Sequence, residues 1–247
     1  MKYFLSFLFS IFLFSEIFAC SCEKGNFANH YKTADIVAIV TVTKKYGDYT
    51  DKSKLIELNY YKAELKFDKI YKGERFKELT ALGSTTYTNS AACEISLTLG
   101  NKYLIMLRKN AEGKYYINAC SAIFNINTQK SQSATIRHFD YIFDCFKKHK
   151  KALSEFEFAN FGNYSSLIDE SKFTKKDIKI LKNKIAVYKV SIDNNNKITA
   201  INPIIKVGYK DKKIEKIIKE HFSIDNSLIN YQTNTYLIYI DFSIYFI

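Results

Sequence analysis

Five cysteines, Cys20, Cys22, Cys93, Cys120 and Cys145, carry the chemistry in this 247-residue sequence. In an oxidising compartment thiols pair into disulfides, and an odd count leaves one as a thiol or frees it for another modification. All five precede residue 146, and residues 146–247 have none. That asymmetry points to two parts stabilised in different ways. Other chemistry has little support. His30, His138, His149 and His221 are dispersed. No HExxH pair, Gly-rich phosphate loop or nucleophile elbow is present, so neither an enzyme, nor a cofactor, nor a metal ion of the chain's own is expected. His138 and Asp140 sit two apart on a predicted helix and face different sides, a poor pair of ligands. Glu155 and Glu157 read as solvated.

What gives the cysteines their compartment is the start of the chain. Lys2 precedes an apolar run, Tyr3 to Phe14, broken only by Ser6 and Ser10. Ser15-Glu16-Ile17-Phe18-Ala19 then leads to Cys20. This reads as a secretory signal over residues 1–19, too short for a comfortable transmembrane helix. Ala19 suits ordinary signal peptidase, while Ile17-Phe18-Ala19-Cys20 also resembles a bacterial lipobox. Either cut leaves Cys20 at the mature N-terminus, and the two differ in whether it carries lipid. The expected location is secreted or in the cell envelope, with membrane attachment only if Cys20 is lipidated.

The net charge of +12 invites a nucleic-acid reading, but only Arg75, Arg108 and Arg137 among 37 cations are arginine, the residue suited to bidentate phosphate and base contacts. The lysines read as scattered along a solvated surface. No nucleic-acid partner is expected.

The elements that must hold the cysteines are mostly strands. Ala34–Lys44 is β-branched and apolar, Leu55–Tyr71 alternates in part, Glu78–Leu82 is short, and Lys102–Arg108 reads as a buried central strand. Gly113 with Lys114 marks a hairpin turn before Tyr115–Ala119. Strands joined by short turns suggest an antiparallel barrel or sandwich. Ser133–Lys148 then places Ile136, Phe139, Ile142, Phe143 and Phe146 at helical spacing, with Cys145 in its last turns. Residues 150–183 read as a linker with a short helix from Thr174. The rest reads as a hairpin (Ile185–Ile192, turn at Asp193-Asn194-Asn195-Asn196, then Lys197–Asn202, ended by Pro203 and Gly208), a helix over Asp211–Phe222 and a strand over Thr235–Ile244. The fold class is β-rich α+β, divided as residues 20–149, 150–183 and 184–247.

Cys20-Ser21-Cys22 at a predicted new N-terminus, Ser90-Ala91-Ala92-Cys93-Glu94-Ile95-Ser96-Leu97, Gly100-Asn101-Lys102-Tyr103-Leu104, Cys120 and Cys145 together resemble the netrin-like inhibitory domain of the tissue inhibitors of metalloproteinases over about residues 20–147. The resemblance implies an OB-type five-stranded antiparallel barrel with packed helices, and bridges Cys20–Cys93 and Cys22–Cys120. The family's cysteine just before the first strand, about where Lys32 stands, is missing, so Cys145 loses its expected partner. The resemblance further implies inhibition of a zinc metalloprotease. The free α-amine and carbonyl of Cys20 would chelate the protease's zinc at its open position. Ser21 would enter the adjoining pocket, and Cys22, Ala92 and Cys93 would form the ridge beside it. Two cysteine counts remain open: a free Cys20 paired with Cys93 and Cys145 left over and buried, or a lipidated Cys20 with Cys93 paired to Cys145. The first is preferred. The alternative function is a non-inhibitory secreted or lipid-anchored protein-binding module. Residues 185–247 more weakly resemble the C-terminal domain of TonB-like proteins, implying another envelope or extracellular protein as partner, met by strand addition at a sheet edge.

Overall fold

The computed structural model describes residues 22, 26–52, 57–86, 93–128, 131–159, 176, 179–221, 224 and 234–242. It begins with α1 (Phe27–Thr33), which sequence periodicity does not reveal. Its signal is local: the Asn26 side chain accepts from the Asn29 amide at 2.8 Å, satisfying a donor that the first helical turn leaves open.

Six strands follow: β1 (Ile36–Asp51), β2 (Leu58–Lys72), β3 (Glu78–Leu82), β4 (Lys102–Leu107), β5 (Tyr116–Ile117) and β6 (Ala122–Asn125). They form one curled half-barrel sheet in the order β5-β3-β2-β1-β4-β6. All neighbours are antiparallel except β3 and β5, which run parallel. The sheet thus has six strands where five were expected. The addition is β6, four residues on the edge beside β4, too short for its alternation to register in the sequence. Four register shifts along the β1–β2 ladder bend the long pair. An isolated bridge between Lys109 and Tyr115 brings the ends of β4 and β5 together.

Next come α2 (Gln132–Lys148), capped by the Ser131 hydroxyl, and α3 (Lys150–Ser154). A three-stranded antiparallel sheet follows, with β7 (Ile185–Ile192) between β8 (Ile198–Ile205) and β9 (Thr235–Asp241), and α4 (Asp211–His221) before its last strand. β8 runs through Pro203 rather than ending there. The reason is its place at the edge of the sheet, where a missing N–H costs little. The other edge is covered: the Leu237 amide donates to Glu157 O (2.7 Å) and the Ala159 amide to Leu237 O (2.8 Å).

Alternation explains why the first half of β1 reads as one continuous apolar run. Ile36, Ala38, Val40 and Val42 face a core inside the curled sheet, with Ile105, Ile117 and Tyr61. Val37 and Ile39 face the other way, into a middle layer with Phe143 and Phe146 of α2. Ile185 and Val187 of β7 and Leu237 of β9 join that middle layer from the far side. The opposite faces of β7 and β9 form a third core with Ile214, Ile217 and Ile218 of α4. The order of layers is curled sheet, helices, second sheet, α4, and both sheets are buried on two faces.

Candidate functional site

Three cysteine-bearing segments meet at one end of the curled sheet. Cys22 is bridged to Cys120, 98 residues later, with Cα atoms 5.1 Å apart. Cys93 is also disulfide-bonded. The Cys93 carbonyl accepts from the Ala119 amide at 2.9 Å, so the Cys93 segment meets the chain one residue from the Cys22–Cys120 bridge. Cys120 is fixed in a turn that Asn118 organises: the Cys120 amide donates to Asn118 Oδ1 (2.9 Å), and the Asn118 amide donates to Ser121 Oγ (2.9 Å).

The segment after Cys93 is strapped to the sheet. The Ile95 amide donates to Leu82 O at 2.8 Å. Tyr61, fully buried on β2, donates its hydroxyl to Ile95 O and accepts from the Leu97 amide, both at 3.0 Å. Burial is the main reason its phenol is pushed up to about 12, with the Leu97 amide acting the other way. Leu97, 2% exposed, plugs the inner core behind the strap. Gly83 lets the strap approach: its φ is +129°, and a Cβ there would lie 3.1 Å from Ile95 O. Alongside, Asp48 of β1 accepts from the Thr85 amide (2.9 Å) and hydroxyl (2.6 Å), and Lys45 Nζ donates to Thr85 O (2.8 Å). The result is a hydrogen-bonded backing for the segment that follows Cys93.

The structure therefore brings Cys22, Cys93 and Cys120 together and sets Cys145 apart. Cys20, Ser21 and Ala92 lie outside the described residues. Cys145 is a half-buried free thiol on α2, and burial raises its pKa, which suppresses the reactive thiolate. Lys32 donates to Phe156 O at 2.7 Å, tying α1 to the segment after α3.

The histidine and aspartate on α2 do face different sides. Asp140 meets β2: Lys69 Nζ lies 2.7 Å from Oδ1, and the Tyr71 hydroxyl donates to the same oxygen. His138 Nε2 lies 2.8 Å from Asp241 Oδ2 on β9, and Tyr239 donates to that oxygen at 3.2 Å. Nothing in the sequence pattern signals the His138–Asp241 pair, whose members are 103 residues apart. Among the described residues no group of three His, Cys, Asp or Glu is placed to hold a metal ion.

Residues 18–155, more than half of the chain, match the family model described as tissue inhibitor of metalloproteinase. A comparison with curated proteins returns no match.

Proposed function

The chain belongs to the tissue inhibitor of metalloproteinase family, and from that premise we propose that it is an exported, non-enzymatic inhibitor of zinc metalloproteinases acting through Cys20. The observation that carries this reading is the meeting of Cys22, Cys93 and Cys120. Cys22 is covalently held there by its bridge to Cys120. With Cys22 and Cys120 joined, Cys145 free and Cys93 in a disulfide, Cys20 is the partner we assign to Cys93.

In this mechanism Cys20 offers its α-amine and carbonyl oxygen to the open coordination position of the protease's zinc and displaces the water that would attack substrate. Ser21 enters the neighbouring pocket, and Cys22, Ala92 and Cys93 line the ridge. The amine needs its lone pair. An ordinary α-amino pKa is about 7.7–8.0, so zinc competes for it near neutrality and protonation opposes it at lower pH. The approach of β4 and β5 at Lys109 and Tyr115 supports an OB-type, partly open barrel as the platform. The second sheet shares the middle layer with α2 and braces that platform from behind.

Intact-mass analysis of the exported protein, followed by titration against a panel of zinc endopeptidases, tests the proposal. An unmodified Cys20 and inhibition at micromolar concentration or below are expected. A diacylglyceryl and N-acyl mass on Cys20 removes the lone pair and would leave a membrane-anchored binding module instead.

A further inference from the structure

Lysines distant in sequence converge on a cavity of about 300 Å³ whose lining includes no cysteine. Its floor is apolar, built from Tyr31 of α1, Tyr71 of β2, Phe146 of α2, Leu153 of α3 and Phe158. Phe146, Leu153 and Phe158 are 1%, 6% and 3% exposed, and the Phe146 ring sits 5.1 Å from Tyr31 and 6.3 Å from Phe158, so the walls are already packed. The volume is at the small end of ligand pockets, which run from about 300 Å³.

Lys32, Lys72, Lys147 and Lys150 form the rim, and no carboxylate lines the cavity among the described residues. Two of the four are fixed by backbone. Lys32 donates to Phe156 O, and Lys72 donates to the carbonyls of Tyr31 (3.2 Å) and Lys32 (3.0 Å). Lys147 and Lys150 are exposed and lie in the run Lys147-Lys148-His149-Lys150-Lys151. The negative end of the α2 dipole accounts for Lys147 and Lys148, but not for Lys32 and Lys72, which come from α1 and β2. Burial lowers the Lys72 pKa, Asp35 opposes that, and the charge of Lys150 adds to the lowering.

A lysine rim with no carboxylate in the cavity lining, over an apolar, largely aromatic floor, fits one kind of ligand. We propose that this cavity binds a free single-chain amphiphile, with its aliphatic tail on Phe146, Leu153 and Phe158 and its anionic head on Lys147 and Lys150. Neutral or tail-less molecules satisfy only half of the site.

The experiment titrates the full exported chain with sodium decanoate, below its aggregation concentration, against octanoate, decanol and acetate. Decanoate saturates one site, decanol and acetate bind at least tenfold more weakly, and octanoate binds about tenfold more weakly for its two missing methylenes. The exposed double variant Lys147→Glu/Lys150→Glu weakens decanoate at least tenfold and leaves decanol unchanged. Leu153→Trp, which fills the cavity, weakens both. Equal affinity for decanol and decanoate, or a double variant with unchanged decanoate affinity, overturns the proposal. Binding to phosphatidylglycerol vesicles without saturable binding of monomeric decanoate also overturns it, in favour of surface adsorption.

Discussion

The Ala119 amide donates to the Cys93 carbonyl at 2.9 Å, one residue from the bridge between Cys120 and Cys22. This contact fixes the spacing of two segments that the chain separates by 26 residues. It lets a covalent anchor at Cys22 serve a surface that includes Cys93.

The anchor itself closes a loop of 98 residues. Chain-entropy arguments give such a loop about 4–5 kcal/mol, and measured losses for native bridges run about 2–5 kcal/mol. The double variant Cys22→Ser/Cys120→Ser is expected to lose stability in that range by denaturant unfolding. A loss below about 1 kcal/mol would mean that the N-terminal segment is held by other contacts.

Two of the fully buried tyrosines, Tyr61 and Tyr188, carry opposite consequences for the same substitution. Tyr61 bonds both Ile95 O and the Leu97 amide, whereas the Tyr188 hydroxyl has no hydrogen-bond partner among the described residues. Tyr61→Phe leaves a buried amide unpaired and should cost about 1–3 kcal/mol, with faster hydrogen exchange at Leu97. Tyr188→Phe removes a desolvated hydroxyl and should leave stability unchanged or raise it by up to about 1 kcal/mol. Equal losses in both variants would contradict the assignment of the strap.

Asp140 ties α2 to β2. Burial alone would raise its pKa, but the hydrogen bonds from Lys69 and Tyr71 together outweigh it and hold the carboxyl below its ordinary value. A depressed folded-state pKa gives stability that is present above the unfolded value and lost as the pH falls below about 4. Asp140→Asn should therefore flatten the acid limb of a plot of Tm against pH, and the difference from the parent should shrink between pH 5 and 3. The pair is partly exposed, so added salt should reduce the effect.

His138 and Asp241 join α2 to β9 across the middle layer, with side chains only 14% and 10% exposed. A double-mutant cycle with His138→Ala and Asp241→Asn should give a coupling energy of about 0.5–3 kcal/mol. Because Phe143, Val187 and Leu237 share one core, thermal unfolding should also be a single transition. Two separated transitions and no coupling would show that the halves are independently stable.

Some of this was legible in the sequence and some was not, for identifiable reasons. Residues 36–43 of β1 and 103–107 of β4 are β-branched, apolar or aromatic because both their faces are covered, and such runs stand out. The 3.6-residue spacing of Ile142, Phe143 and Phe146 likewise announces α2. α1 is only seven residues, and its one cue is the cap at Asn26. Pro203 reads as a stop, yet an edge strand tolerates it. The lysines look scattered because Lys32, Lys72, Lys147 and Lys150 belong to different elements, and only the fold gathers them. The same holds for His138 and Asp241, whose approach depends on how β9 docks beside α2.

The central claim is that the free amine of Cys20 chelates a protease's zinc, and adding a single residue in front of it tests this most directly. Inhibition of a zinc endopeptidase is compared between the mature chain beginning at Cys20 and the same chain with one alanine placed ahead of Cys20. The account predicts that the extension, which converts the amine to an amide, weakens inhibition at least a hundredfold while the melting temperature and the Cys22–Cys120 bridge are unchanged. Undiminished inhibition by the extended chain would contradict it.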